Sequence, residues 1–270
     1  MRIMVLCLSV WHTVFSRRIE YRNAVMMIKN FPIIARCLST MVLCTLSTMA
    51  FAQAGDTVEF KDGAWISYRD SYRKMISFEK YSGAKQFLQN NIRVAIIDKK
   101  SSLDGVRLSL DGKKTHLNLP LDPAGRAVFP MLKAAYDENA ELRVNRKDSV
   151  VKFEYRISIT TRPDGLYEIA DLRAACDQAL HYLRYQDFLH YSLKQCVGVK
   201  FAYGRDQNEI SLKVKYNDQL SAALPVAEGS VFPDDNYNAF KVVVYKFTAS
   251  AESGQIISND VPLAITALFE

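Results

Sequence analysis

Histidine is scarce in this chain, with four in 270 residues. Beyond residue 52 only His116, His181 and His190 remain, and the last two stand nine positions apart. That spacing gives no same-face helical pair for a metal ion. Also missing are G-x-S-x-G, H-E-x-x-H, a P-loop and G-x-G-x-x-G. The chain therefore lacks the marks of nucleophile-elbow hydrolases, zincins, P-loop enzymes and dinucleotide-binding folds. No C-x-x-C redox pair occurs, and no low-complexity linker divides the chain. No metal and no cofactor are expected.

A basic surplus is absent too, once the first 52 residues are set aside. The formal charge is +6. Residues 1–52 hold six basic side chains (Arg2, Arg17, Arg18, Arg22, Lys29, Arg36) and one acidic one, Glu20. Removing these from the totals of 35 and 29 leaves 29 basic and 28 acidic residues in 53–270. Nucleic-acid binding needs a cationic face to displace counterions, and bulk charge offers none.

What is present begins with a leader. Lys29 and Arg36 precede an uncharged, largely apolar run of 13 residues, Cys37–Met49, and then Ala50-Phe51-Ala52. The run is shorter than the roughly 20 residues that a membrane span needs. Charge, short apolar core and small residues at −3 and −1 predict a secretory signal over 26–52, cleaved after Ala52. Met41-Val42-Leu43 lacks the small residues that a lipidated Cys44 would require. Residues 1–25 carry a second apolar run, Ile3–Phe15, and Met26-Met27 stand where a start belongs. The expectation is an upstream mis-start, the rival a membrane-retained hairpin. The mature part, 53–270, is expected in the periplasm with no stable transmembrane segment.

Three of the five cysteines fall in the leader, leaving Cys176 and Cys196. In an oxidising compartment an even pair suggests a structural disulfide. Two free thiols and an active thiol are the alternatives.

Periodicity predicts an α+β fold rich in antiparallel strands. Over 64–81, Trp65, Tyr68, Tyr72, Met75 and Ile76 recur at helical spacing. Val106, Leu108 and Leu110, then Asp111-Gly112, then Leu117, Leu119 and Leu121 read as a hairpin. Val151, Phe153, Tyr155, Ile157 and Ile159 alternate with polar residues, the strongest period-two signal in the chain. A second helix is expected from Tyr167, with Ile169, Leu172, Cys176, Ala179 and Leu183 on its buried stripe. Strands are expected over 197–203, 210–216, 241–247 and 262–269.

Leu119-Pro120-Leu121 through Val128-Phe129-Pro130 resembles Leu224-Pro225-Val226 through Val231-Phe232-Pro233. Strand pairs flank both stretches, about 105 residues apart. The expectation is two small antiparallel β-modules related by an internal repeat, 53–165 and 166–270, with a helix before the first and a helix between them. The stretch Asp122-Pro123-Ala124-Gly125 to Phe129-Pro130 also resembles the D-x-x-G-x-x-x-F-P turn of transthyretin-like and carboxypeptidase-regulatory-like modules. This local resemblance covers about ten residues. It implies a small sandwich used for stability or adhesion. A short helix predicted over 130–137 departs from that family's pattern.

For ligands, the segment His181–Tyr191 gathers four aromatics, two histidines and an arginine. Tyr182, Arg184, Tyr185 and His181 form the candidate site, able to stack on a sugar or peptide. The plainer reading is that Tyr182, Tyr185 and Phe188 only fill core. Asp234, Asp235, Asn236 and Asn238 offer oxygens for calcium, but the EF-hand alternation is missing and turn chemistry is the expectation. Together these features favour a non-enzymatic binding or scaffolding module of the cell envelope, with a protein or glycan partner. A hydrolase acting on an envelope polymer is the alternative.

Overall fold

The computed structural model describes residues 63–98, 101–217, 219–235, 240–248 and 253–270. The expected leader over 26–52 with its expected cleavage after Ala52, the expected mis-start over 1–25, and Asn236 and Asn238, weighed above for calcium, lie outside these residues.

The described chain is mostly antiparallel sheet with few helices. It runs β1 (Trp65–Ser67), α1 (Tyr68–Lys80), β2 (Leu88–Ile96), β3 (Leu108–Asp111), β4 (His116–Leu119), β5 (Arg126–Ala127), α2 (Lys133–Asp137), β6 (Glu141–Val144) and β7 (Val151–Ile159). Then follow β8 (Leu166–Glu168), α3 (Ile169–Gln186), α4 (Phe188–Tyr191), β9 (Cys196–Tyr203), β10 (Leu212–Tyr216), β11 (Gln219–Ala223), β12 (Val226–Gly229), β13 (Phe240–Lys246), β14 (Gln255–Ser258) and β15 (Ala264–Phe269).

Seven strands form one large sheet, ordered β12-β13-β9-β15-β7-β2-β5, to which both halves of the chain contribute. Two four-stranded sheets read β1-β6-β3-β4 and β8-β14-β10-β11. Their registers agree residue by residue. Ile66 faces Leu142 and Leu110 faces Leu142; correspondingly, Tyr167 faces Ile256 and Val214 faces Ile256. The agreement extends to a side chain. Asn145 Oδ1 accepts from the Arg107 N–H at 2.9 Å, and its Nδ2 donates to the Gly105 carbonyl. Asn259 Oδ1 accepts from the Ser211 N–H at 2.7 Å, and its Nδ2 donates to the Glu209 carbonyl.

Each small sheet closes a core against one helix and half of the large sheet. Tyr68 and Met75 of α1 meet Ile92 and Val94 of β2 and Leu108, Leu110 and Leu142. Leu172, Cys176 and Ala179 of α3 meet Val199 and Phe201 of β9 and Leu212, Val214 and Ile256. A third, smaller core of Ala202, Ala264, Val231 and Phe232 covers the opposite face of the large sheet.

The first helix starts later than its periodicity predicts. Residues 65–67 pair with β6 instead, and Ser67 caps α1 by accepting from the Asp70 N–H. Trp65 is therefore exposed, while Phe78 takes a core place. Likewise 166–168 is strand, so α3 begins at Ile169 rather than Tyr167. The two V-F-P stretches end in different surroundings. Phe129 stacks on Tyr68 at 5.0 Å, whereas Phe232 lies beneath the guanidinium groups of Arg93 and Arg156. Cys176 and Cys196 are joined as a disulfide, with their Cα atoms 6.0 Å apart.

Candidate functional site

The centre of the large sheet is not continuous. β7 and β15 pair at one point, Ile159 with Ile265. β7 spends its full length on β2, and β15 spends its length on β9. Away from Ile159 and Ile265 no registered pair joins the two strands, and residues of both line a slot roofed by the end of α3. The cavity there has a volume of about 790 Å³, within the range of ligand pockets. Consecutive residues line it on both sides, Tyr155–Ile159 and Thr266–Glu270, so backbone edges as well as side chains face its interior.

The walls alternate. Tyr155, Ile157, Ile159, Ala267 and Phe269 turn their side chains toward the helix cores. Arg156 and Asp234 lie on the other face, bonded at 2.6 Å. Arg156 also donates to Glu154 at 3.0 Å. Burial disfavours the Arg156 charge, but these two carboxylates outweigh burial and hold it fully protonated. Lys74 and Lys194 stand at the slot with no acidic partner among the described residues.

The sequence-predicted site residues separate here. Tyr182 lines the slot and is only 6% exposed. It packs edge-on to Phe78 at 5.1 Å and Tyr81 at 5.3 Å. Burial pushes its hydroxyl pKa up, opposed by a bond with Ser77. Tyr185 is 63% exposed and leans on Tyr81. Arg184 turns inward to hold the next turn, donating to the Tyr191 carbonyl at 3.1 Å and the Lys194 carbonyl at 2.6 Å. His181 faces solvent. His190, outside the predicted set, lines the slot with its ring against Tyr191. Phe188, Leu189 and Leu193 project from the same turn, the last two 91% and 92% exposed.

Tyr185 gives a direct check on this division. Tyr185→Ala is expected to change folding free energy by no more than about 0.5 kcal/mol, as for exposed positions. A urea melt showing a loss of several kcal/mol would make Tyr185 a core residue.

Three serine and threonine hydroxyls line the slot, and each is engaged away from any imidazole. Ser77 donates to the Lys74 carbonyl, Ser158 accepts from Arg126 and Gln89, and Thr266 donates to the Val231 carbonyl. No nucleophile–base pair lines the slot among the described residues, and none of them form a metal-ligating cluster. Turn chemistry holds at Asp235, whose Oδ2 accepts from the Phe232 N–H while its own N–H donates to the Phe232 carbonyl, both at 3.2 Å; Asp234 and Asp235 also accept from Arg156 and Arg93. No helix among the described residues is long and apolar enough to cross a membrane.

Sequence reasoning missed the slot because neither strand edge carries a motif. The one legible signal was the aromatic end of α3, which forms its roof. Family models, curated proteins and solved structures contain no match to this chain.

Proposed function

We propose that this chain is an exported, non-enzymatic binding module of the cell envelope, with the β7–β15 slot as its ligand site. The observation that carries the reading is a cavity of about 790 Å³ with mostly apolar walls, whose serine and threonine hydroxyls are engaged elsewhere. Such a site offers contact area and polar handles. The leader's composition supports export to the periplasm with Gln53 as the mature N-terminus. The disulfide fits an oxidising compartment. We propose further that the mature part arose by internal duplication, 53–165 and 166–270. The matched registers and the equivalent Asn145 and Asn259 turns support that reading. They carry it better than the V-F-P stretches, whose phenylalanines sit in unlike places.

The test uses protein released by osmotic shock from cells producing the whole chain. N-terminal sequencing is expected to read Gln53. Thermal melts are then run with peptide, glycan and lipid fractions of an envelope extract. A ligand at a hundred times its Kd stabilises by about 2.7 kcal/mol. At this size that raises Tm by roughly 5–10 °C. Ala179→Trp, which fills the slot from α3, is expected to abolish the rise. Retention of residues 26–52 in the membrane fraction would refute export. No rise with any fraction, together with turnover of a polymer, would favour the hydrolase.

A further inference from the structure

We infer that the slot takes an extended peptide of another protein, added as a strand between β7 and β15; this rests on the binding reading above. The backbone supplies the first argument. Ile97 N–H donates to the Val150 carbonyl and Thr160 N–H to the Phe87 carbonyl, so the even residues of β7 point their amides at β2. Successive residues point to opposite edges, so Tyr155 and Ile157 present N–H and C=O to the slot. On β9, the Val197 carbonyl accepts from Phe247, which turns odd residues toward β13 and even residues toward β15. Lys200 and Thr266 are thus an exchanging pair, and Ala267 faces the slot. Glu270 exchanges both bonds with Gln195, which leaves Phe269 facing the slot as well.

Two strand edges therefore face each other across an apolar cavity. Unmet amides beside apolar walls are costly, and a strand inserted between them satisfies both rows at once. An acyl chain fills the same volume but satisfies neither.

The walls then define the peptide. Side chains on one face of an inserted strand meet Ala179, Tyr182 and Leu183, and those on the other meet Arg156, Asp234 and Thr266. The fit is an alternation of apolar and polar residues. Lys74 and Lys194 add two ammonium groups that have no acidic partner among the described residues, complementary to an acidic side chain or a terminal carboxylate. The exposed Phe188, Leu189 and Leu193 beside it extend the apolar area available to a partner.

The test is fluorescence polarisation with processed protein. The probe is a pool of fluorescein-labelled decapeptides, apolar at odd and polar at even positions, each with a free carboxylate. Saturable binding is expected. N-methylation of either alternate set of peptide amides is expected to weaken it at least tenfold, because both edges are used. Ala267→Pro removes a slot-facing donor but no bond to β9, and is expected to cost at least tenfold with an unchanged melt. Lys74→Glu with Lys194→Glu is expected to weaken binding and flatten its salt dependence. Should Ala267→Pro misfold, the N-methylated peptides still decide the matter from the ligand's side. Equal binding of N-methylated and plain peptides overturns the inference. So does saturable uptake of a fluorescent fatty acid without peptide binding, or a slot-dependent dimer in sedimentation that peptide does not dissociate; both leave the binding reading standing. Failure of peptide, fatty acid and self-association together removes both.

Discussion

Arg93→Ala is expected to cost about 3–5 kcal/mol of folding free energy, the range for removing one partner of a buried ion pair. The Arg93 side chain is 5% exposed. Its guanidinium donates to both oxygens of Asp235 at 2.6 and 2.8 Å, to Glu154 at 3.1 Å and to the Ala124 carbonyl at 3.0 Å, and it stacks over Phe232 at 4.8 Å. Truncation leaves Asp235 and Glu154 buried with fewer cations, and that residue of unpaired charge is the main cost. Arg93→Met combined with Asp235→Leu is expected to cost less than Arg93→Ala alone, since no orphan aspartate remains there. Urea melts of Arg93→Met, of Asp235→Leu and of the double variant measure the coupling. A loss under about 1 kcal/mol for Arg93→Ala would mean that water already reaches the cluster.

Glu154 adds a pH signature to the same cluster. Burial pushes its carboxyl pKa up, but hydrogen bonds from Arg156 and Lys152 and the charge of Arg93 outweigh burial and hold it below the ordinary value of 4.5. A carboxyl depressed in the folded state contributes stability that is complete above its unfolded pKa. That contribution is lost as pH falls through the folded value. Acid unfolding is therefore expected to begin at higher pH in Arg93→Ala than in the parent.

Arg93 also shows what sequence could and could not disclose. It stands among Ile92, Val94, Ala95, Ile96 and Ile97, and a charge inside a buried strand calls for an acidic partner. Nothing local said that the partner was Asp235, 142 residues away. Helix and strand periods survive wherever one face is buried and the other wet. That is why β7 and the buried stripe of α3 were legible to within a residue or two. β11 was not, because all five of its residues, Gln219–Ala223, are exposed and leave no alternation to read. β1 was absorbed into the helix ahead because Trp65 and Tyr68 fall at helical spacing. Pairing with β6, which sets Ile66 opposite Leu142, decided the matter instead.

The candidate site was half legible for a similar reason. Aromatic density pointed to the end of α3 that roofs the slot, and Tyr182 lines that slot. Density alone could not tell which ring turns inward, so His181 was included although it faces solvent, and His190 was left out. Arg184 was read as a polar handle. It is spent on two backbone carbonyls of the turn that carries Phe188–Tyr191. The slot itself depends on β7 and β15 pairing only at Ile159 and Ile265, which no window of sequence records.

Loss of the disulfide should be the other large effect. Cys176 is fully buried on the stripe of α3, and Cys196 opens β9, so the bond ties the helix to the sheet beneath it. Closing a loop with a sequence separation of 20 stabilises by about 3 kcal/mol in the chain-entropy model. Cys176→Ser adds a further term, because it moves a hydroxyl into the fully buried core of α3, with the Gly198 carbonyl, 3.4 Å from the sulfur, as the near acceptor. Cys196→Ser, at a half-buried strand end, lacks that term. The expectation is a loss of about 3 kcal/mol for Cys196→Ser and for the reduced parent, and a larger loss for Cys176→Ser. Denaturant melts with and without reductant, at pH 8 where exchange is fast, read all three. Free-thiol labelling of the denatured, unreduced parent should find no reactive cysteine. Two labelled thiols, or a melt indifferent to reductant, would refute a stabilising bond. The consequence for the slot is direct. α3 roofs it, and β9 holds β15 in place as one wall, so a helix released from β9 should also lose affinity for whatever the slot binds.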